Sequence, residues 1–381
     1  MKFLFIVQGE GRGHMTQAIA FASLIRSQGH ELSAVVLGKS KRREIPEFFL
    51  REIKTEIHWI ASPNFETDQN EKQILIGKTI LGNLLKLPTF LKSLQQINRL
   101  VKLHQPDVIL NFYDLLGGLY NVFYQPKAEF WSIGHQYLAL QADFTFAPSR
   151  AFAKQLFLIN TKVTAWGASR ILALSFKHSI AIHPKIQVVP PLLRNEIKTL
   201  TPSLGNFYLA YLVNPGYSSE LFAYAKANPS IQIKAYWDKK DAAYVENPLP
   251  NLSFHRVNDK KFLEDMAACK GLACTAGFES VCEAAYLGKI VMVIPVTGQY
   301  EQACNALDAE KHQIARKGKI FDFSFLEQQS SNFQQNPIYF RKWCEEWPEI
   351  LQKIIQTSQK SDISSEIIDS RLNPLPLSPF S

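Results

Sequence analysis

The sequence predicts an α/β protein with two Rossmann-like domains that face each other across a cleft. Short apolar runs typical of buried strands alternate with helical stretches along the 381-residue chain, which is the pattern of parallel sheets covered by helices. A chain of this length has room for two domains of ordinary size. Residues 188–194, which contain two adjacent prolines, separate two such alternating regions and indicate a stiff crossover between them.

The composition is that of a soluble globular protein, with 46% hydrophobic and 20% charged residues. The apolar run at 3–7 is too short for the core of a signal peptide, and no stretch predicts a membrane span. Five cysteines without C-x-x-C spacing predict reduced thiols in a cytoplasmic protein, with neither a disulfide nor a metal site. The net charge of +8 suits a phosphorylated substrate or an anionic membrane surface, and no motif indicates nucleic-acid binding.

The chain begins with a strand at residues 2–8, a glycine-rich loop at 9–14, a helix at about 16–28 and a second strand at 32–37. A glycine-rich loop after a strand also occurs in dinucleotide-binding sites of the G-x-G-x-x-G type. Such a site does not fit here, because position 14 is histidine and no acidic residue follows the second strand. The loop therefore predicts a ligand site of another kind.

A second site is predicted by residues 274–306, which read as strand end, helix, strand and polar loop. The helix at 279–287 begins beside Gly277, and such an N-terminus suits a phosphate because its free N–H groups and dipole favour an anion. Glu283, about one turn into this helix, is placed to accept hydrogen bonds from the two hydroxyls of a ribose. The polar residues that follow the next strand, where a sugar would lie, are Gly298, Glu301, Gln302 and Asn305.

Both stretches resemble the signature motifs of GT-B glycosyltransferases. The first reads G-R-G-H-M-T-Q-A, and the second runs from Gly277 through Glu283 to the ending E-Q-A-C-N-A at 301–306. The resemblance is to the MurG-like and UDP-glycosyltransferase-like branches, and most of all to a microbial family of MJ1255-type glycosyltransferases. It implies transfer of a sugar from a nucleoside diphosphate sugar, with UDP as the expected nucleotide, to an acceptor hydroxyl. No cofactor is expected, and the lack of a D-x-D motif implies that no metal bridges the diphosphate.

The resemblance also implies which residues contact the substrates. The diphosphate is expected near the turn at 275–278, the ribose on Glu283, and the sugar near Glu301 and Gln302. Ser218 has a second interpretation as a helix cap. The expected donor-binding residues are Gly216, Ser218, Arg256, Thr275, Ala276, Gly277, Phe278, Glu283, Gly298, Glu301, Gln302 and Asn305. The residues expected on the acceptor side are Gly11, Gly13, His135 and Gln136.

His14 is the residue that the resemblance assigns to catalysis. In the UDP-glycosyltransferases a histidine at this motif position is the general base that deprotonates the acceptor hydroxyl, and imidazole suits the task because its pKa lies near working pH. The alternative is a histidine that only shapes the loop. The aspartate that orients this histidine in plant relatives would fall near Asn111 or Phe112, where this sequence departs from the family, so Asp114 is the expected substitute.

Residues 74–103 predict one or two amphipathic helices broken at Pro88. An apolar face with lysines is typical of a helix that lies on a membrane surface or holds a lipid-linked acceptor. The other interpretation is a helix packed on the sheet. We therefore expect a cytoplasmic protein, with peripheral association at the inner face of the membrane and a lipid- or cell-envelope-linked acceptor as an alternative.

The predicted organisation is an acceptor-side domain at 1–194, a nucleotide-sugar-binding domain at 206–335, a helix at 336–357 that returns to the first domain, and a loose tail at 358–381. Two other functions fit this architecture. One is a UDP-sugar 2-epimerase, which would need several carboxylates in the cleft, and the N-terminal loops carry few. The other is a sugar-nucleotide-binding protein without catalysis.

Overall fold

The computed structural model describes residues 1–39, 45–63, 82–148, 151–212, 215–237, 239, 242–328 and 337–358. Its first half is built on one sheet. The strands of that sheet are β1 (Lys2–Val7), β2 (Glu31–Lys39), β3 (Ile57–Ala61), β4 (Val108–Phe112), β5 (Glu129–Gly134), β6 (Arg170–Leu174) and β7 (Ile186–Val189). They lie in the order β3-β2-β1-β4-β5-β6-β7, and all neighbours are parallel. This doubly wound order confirms the predicted Rossmann-like α/β fold.

A second sheet follows after residue 206. Its strands are β8 (Phe207–Leu212), β9 (Gln232–Trp237), β10 (Val245–Leu249), β11 (Leu252–Arg256), β12 (Gly271–Thr275), β13 (Ile290–Ile294) and β14 (Arg316–Lys317). Their order is β10-β11-β9-β8-β12-β13-β14, and β10 runs antiparallel to β11 while the other neighbours are parallel.

Helices connect the strands of both sheets. Those of the first half are α1 (Arg12–Ser27), α2 (Glu47–Ile53), α3 (Leu87–His104), α4 (Leu115–Tyr124), α5 (Ala151–Thr164) and α6 (Asn195–Thr199), with a 3-10 helix at His135–Leu140. Those of the second half are α7 (Ser218–Ala227), α8 (Asp259–Ala268), α9 (Glu279–Tyr286), α10 (Tyr300–Lys311), α11 (Ser324–Gln328) and α12 (Pro337–Glu345), with a 3-10 helix at Pro215–Tyr217. Residues 347–358 are also helical. No described helix is long and apolar enough to cross a bilayer.

The strands of the first sheet are nearly continuous apolar runs because both faces of the sheet are covered. Along β1, Phe3, Phe5 and Val7 belong to one buried apolar cluster, whereas Leu4 and Ile6 belong to another on the opposite face. This alternation fixes the register of the strand that carries the glycine-rich segment after residue 8.

The two domains share one of these buried clusters. It contains Phe21 of α1, Val281 of α9 and Trp347 of the helical segment 347–358. The indole N–H of Trp347 donates to the Pro191 carbonyl at 3.1 Å, and its ring meets Phe21 edge-on at 5.7 Å. The end of the described chain therefore packs on the first domain.

Three local predictions differ from the structure. Helix α1 begins at Arg12 rather than near residue 16, so Gly13 lies inside it. A glycine suits this position because a Cβ would approach the Glu279 Cγ to 3.2 Å. Pro88 lies in the first turn of α3, so it begins a helix instead of breaking one, while residues 74–81 of the predicted segment are outside the described residues. Ser218 is the first residue of α7 and gives no side-chain cap.

Candidate active site

A cavity of about 810 Å³ lies between the carboxyl ends of the two sheets. Gln8, Ser62 and Tyr113 follow β1, β3 and β4 in the first domain, Val257 and Val296 follow β11 and β13 in the second, and all of them line it. Ligands of open parallel sheets bind outside these strand ends. The cavity is therefore the candidate active site.

The N-terminus of α9 forms part of the second domain's wall. Gly277, Phe278, Glu279 and Ser280 line the cavity there. Phe278 at the N-cap makes no side-chain hydrogen bond, so no capping side chain covers the N–H groups of the first turn. A Cβ on Gly277 would meet no atom nearer than 4.0 Å, so the turn leaves room for a ligand. Such a helix end can hold an anion.

Glu283 lies one turn further along α9, and an arginine occupies both of its oxygens. Arg194 donates from Nε to Oε1 at 2.6 Å and from a terminal nitrogen to Oε2 at 2.8 Å, and it also pairs with Asp259. Burial raises the pKa of Glu283, although the charge of Arg194 opposes this shift. The predicted contact between Glu283 and a ribose is still a prediction, and a ribose would have to share the carboxylate with Arg194 or displace it.

The polar residues after β13 divide into two groups. Glu301 lines the cavity and accepts a hydrogen bond from Gln136 Nε2 of the first domain at 2.9 Å. Gln302 also lines it, and its Oε1 accepts from the Val296 N–H at 2.9 Å, which holds the loop after β13. Asn305 instead donates to the Ala276 carbonyl at 3.2 Å and so supports the turn before α9 from behind.

His14 lies in the first turn of α1, on the first domain's wall. Its ring stacks on Tyr113 with centroids 5.7 Å apart, and its Nδ1 is 3.3 Å from Gln17 Oε1. Burial lowers the pKa of His14 to about 4, so the imidazole is neutral at physiological pH. A neutral imidazole beside a cavity can accept a proton from a bound hydroxyl.

Asp114 does not contact His14, which differs from the prediction that this carboxylate orients the histidine. One Asp114 oxygen accepts from the Leu116 N–H at 2.8 Å as the N-cap of α4, and the other accepts from the Ser62 hydroxyl at 2.7 Å. Asn111 donates to the Asp114 and Thr164 carbonyls. The polar groups at the end of β4 therefore hold the backbone between β4 and α4.

His135 joins the two domains from the first residue of its 3-10 helix. Its ring stacks on Phe278 with centroids 4.0 Å apart, and its Nδ1 donates to the Leu174 carbonyl at 2.8 Å. The other ring nitrogen faces Asp308 of α10 at 3.7 Å. Together with the Gln136–Glu301 hydrogen bond, these contacts place the predicted His-Gln pair at the domain interface.

The cavity brings together predicted residues from both halves of the chain. The predicted residues that line it are Gly11, Gly13, His14, His135, Gln136, Gly277, Phe278, Glu283, Glu301 and Gln302. The predicted residues outside its lining are Asp114, Gly216, Ser218, Arg256, Thr275, Ala276, Gly298 and Asn305.

The charged or polar cavity residues that were not predicted from the sequence include Gln17, Arg194 and Glu279. Gln17 Nε2 donates to Glu279 Oε1 at 2.6 Å, and burial raises the pKa of Glu279 to about 8. The three-residue spacing of His14 and Gln17 on a helix was the one available signal for Gln17. Nothing local marks Arg194 or Glu279, because their partners lie far away in the chain.

The part of the first domain's wall formed by α3, α4 and the residues before α3 is apolar. Leu87 and Leu91 on α3 are 51% and 60% exposed and line the cavity. The other apolar side chains of this wall are Leu84, Phe90, Leu94, Leu115, Leu116, Leu119 and Phe123. The cavity therefore has an apolar side, which belongs to the first domain, and a polar side to which both domains contribute.

Comparison with solved structures finds the same two-domain arrangement in glycosyltransferases. The structure of Phytolacca americana UGT2 with UDP-2-fluoro-glucose and pterostilbene has a TM-score of 0.60 at 12% identity, covering 93% of this chain and 99% of that one. The spinosyn rhamnosyltransferase SpnG with thymidine diphosphate has a TM-score of 0.54 at 14% identity, covering 93% and 100%. SnogD from Streptomyces nogalater has a TM-score of 0.57 at 13% identity, covering 94% and 99%. The fold is therefore GT-B, as the sequence predicted.

Comparison with curated protein sequences finds no match. The family model described as glycosyl transferase family 1, however, matches residues 1–330, which include both sheets and the whole cavity lining. The chain is therefore a glycosyltransferase and belongs to glycosyl transferase family 1.

Proposed function

We propose that this glycosyltransferase moves a sugar from a nucleoside diphosphate sugar, with UDP as the expected nucleotide, to a hydroxyl group of an acceptor with a large apolar part. The observation that carries this proposal is the cavity, where an uncapped helix N-terminus, a neutral histidine and an apolar wall meet. The solved structures of UGT2 with UDP-2-fluoro-glucose and of SpnG with thymidine diphosphate support a nucleotide-linked donor.

On the donor side, the first turn of α9 would bind the diphosphate through its N–H groups. Glu301 and Gln302 are the expected contacts of the sugar, because both line the cavity after β13. Glu283 is the expected contact of the ribose. Arg194, in the segment that joins the domains, donates to both oxygens of Glu283. A ribose bound to Glu283 would therefore weaken this ion pair.

On the acceptor side, the exposed leucines of α3 favour a substrate that buries apolar surface against them. A lipid-linked or aromatic alcohol would meet this requirement. Burying one leucine side chain contributes about 1.5–3 kcal/mol, so a few such contacts supply most of the affinity of an ordinary substrate.

In the proposed reaction the acceptor oxygen attacks the anomeric carbon while His14 takes the proton of the hydroxyl. The bond between that carbon and the diphosphate oxygen breaks, and the leaving diphosphate gains negative charge. The N–H groups at the start of α9 would stabilise this charge. We therefore propose a transfer that needs no metal ion.

Calorimetric titration with UDP, 2′-deoxy-UDP and thymidine diphosphate tests the donor assignment. We expect UDP to bind, and 2′-deoxy-UDP to bind more weakly by about 1.5–3 kcal/mol, which is typical of a hydrogen bond to a charged group. Glu283→Gln should remove most of this difference. Equal affinities for UDP and 2′-deoxy-UDP would overturn the ribose contact, and no binding of any of these diphosphates would overturn the donor class.

A further inference from the structure

Gln17 connects His14 to a carboxylate of the other domain. Its Oε1 is 3.3 Å from His14 Nδ1, and its Nε2 donates to Glu279 Oε1 at 2.6 Å. Gln17 is 3% exposed and Glu279 is 7% exposed, so bulk water does not replace either contact. Gln17 lies three positions after His14 in the chain, whereas Glu279 lies 262 positions after Gln17.

The chemistry of these groups decides where the proton of the imidazole lies. The Gln17 amide nitrogen faces Glu279 Oε1, which accepts its hydrogen bond whether Oε2 is ionised or carries a proton. The amide oxygen then faces His14, and since this oxygen also only accepts, His14 must donate from Nδ1. A neutral imidazole carries one ring proton, so Nε2 is left with a free lone pair.

We propose that Gln17 and Glu279 are positioning residues for the base: the Gln17 amide, held by Glu279, keeps the His14 proton on Nδ1 and leaves Nε2 to receive the proton of the acceptor hydroxyl. This inference rests on the proposed function, in which His14 is that base. It replaces the expected carboxylate partner Asp114, which caps α4 instead.

The same contact makes the base depend on the position of the domains. Glu279 is the first residue of α9, next to the turn that we expect to bind the diphosphate. Gly13 allows the approach, because a Cβ there would lie 3.2 Å from Glu279 Cγ. The tautomer of His14 is therefore set only when the second domain lies against the N-terminal end of α1.

Glu279 can hold Gln17 in either of its protonation states. Its Oε1 accepts from Gln17, while Oε2 has no hydrogen-bond partner among the described residues and can carry the proton. A neutral amide at position 279 presents an equivalent oxygen. Glu279→Gln should therefore preserve the hydrogen bond that holds the Gln17 amide in place, whereas Glu279→Leu should remove it.

The first test reads the tautomer directly and needs no activity. Nitrogen-15 NMR of the full-length protein at pH 7 reports which ring nitrogen of His14 carries the proton, and His14→Gln assigns the signal. We expect the Nδ1–H form in the wild type and in Glu279→Gln, and a shift toward the Nε2–H form in Gln17→Met and Glu279→Leu. An Nε2–H form in the wild type would mean that the Gln17 amide is reversed, and it would overturn the proposal.

The second test is kinetic. Gln17→Met should lower kcat by about 10-fold or more, which is part of the 10²–10⁴ that general base catalysis contributes, while the KM for the donor stays within about twofold. The matched control is Gln28→Met, because Gln28 caps the other end of α1 and donates to the Pro348 carbonyl. An unchanged kcat in Gln17→Met would overturn the proposal. A wild type that transfers no sugar would refute the proposed function instead, and the NMR result would still decide the tautomer.

Discussion

The His14 imidazole is neutral because its partly buried position disfavours the charged form. Burial lowers the pKa of His14 to about 4, well below the ordinary histidine value, and no carboxylate among the described residues lies within ion-pair distance to restore it. A base with such a low pKa is ready to accept a proton across the physiological range, although each proton transfer to it is less favourable than to an unperturbed imidazole.

This pKa predicts the acid side of the pH profile. We expect kcat/KM to be insensitive to His14 protonation above about pH 5, and the NMR titration of the ring to have its midpoint near 4. His14→Ala should lower kcat by about 10²–10⁴ while UDP binds as before. A ring midpoint near 6.5 would show that water reaches His14, and a loss of UDP binding in His14→Ala would assign the residue to loop structure.

The pKa of Glu279 is raised, whereas that of His14 is lowered, and the raised pKa makes the stability of the fold depend on pH. Burial raises the pKa of Glu279 from 4.5 to about 8, so the folded protein holds this proton more tightly than the unfolded chain. The stabilising contribution is complete below about pH 4.5, declines as the pH rises, and is lost above about pH 8.

Glu279→Gln should therefore gain stability over the wild type as the pH is raised from 5 to 8.5. We expect its Tm advantage to grow by at least about 2 °C, since each pKa unit corresponds to about 1.4 kcal/mol. Thermal unfolding of both proteins across this range provides the measurement. Parallel curves would mean that Glu279 is ionised in the folded protein at neutral pH.

Among the secondary-structure elements, two helices supply the contrasting polar and apolar parts of the cavity wall. Helix α9 supplies uncapped N–H groups and buried carboxylates, whereas α3 supplies leucines that are more than half exposed. Pro88 in the first turn of α3 starts the helix where its exposed apolar residues begin. The other side of α3 buries Phe90, Leu94 and Ile97, as expected of a helix packed on the sheet. Acceptor binding by its exposed leucines stays a prediction.

The exposed leucines of α3 can be tested with one substitution. Leu91→Gln should raise the KM for an apolar acceptor, such as an aromatic or prenyl alcohol, by about 10-fold or more, given the value of one buried leucine. The KM for the donor should not change. Leu103→Gln is the matched control, because Leu103 is 72% exposed on the same helix and does not line the cavity. Equal effects of both substitutions would contradict the assignment of this wall to the acceptor.

At the scale of the whole molecule, the domains are joined by more than the crossover that the prolines indicate. One apolar cluster extends through α1, α9 and the helical segment 347–358, and Arg194 links the crossover to Glu283 and Asp259. The polar contacts Gln17–Glu279 and Gln136–Glu301 cross the same interface at 2.6 Å and 2.9 Å. The two domains therefore meet at the cavity through contacts that a domain movement would break or form together.

In the proposed reaction the leaving diphosphate gains negative charge, and groups of the assembled cavity must stabilise that charge. We expect transfer to proceed at an unchanged rate in excess EDTA, since N–H groups of α9 and the nearby Arg194 can meet the charge without a cation. Activity that EDTA abolishes and Mg²⁺ or Mn²⁺ restores would contradict metal independence.

Local sequence patterns were enough to predict the alternating strands and helices and two strand ends that line the cavity. Alternating apolar runs predicted the strands, and the glycines near residues 9–13 and 277 marked two strand ends where ligands bind. These are local properties, because backbone conformation and burial leave a periodic pattern in neighbouring residues. His14, Gly277, Glu301 and Gln302 could be placed at the cavity for that reason.

The contacts between side chains of distant segments could not be predicted from the sequence. Arg194 lies 89 residues from Glu283, and Gln17 lies 262 residues from Glu279. No local pattern can predict contacts between segments so far apart in the chain. The same holds for Asp114, whose carboxylate could serve His14 or cap α4 until the packing of Ser62 and Leu116 fixed the second role. Side-chain pairing between distant segments depends on how the two domains pack against each other. The pKa shifts of His14 and Glu279 follow from the burial that this packing creates.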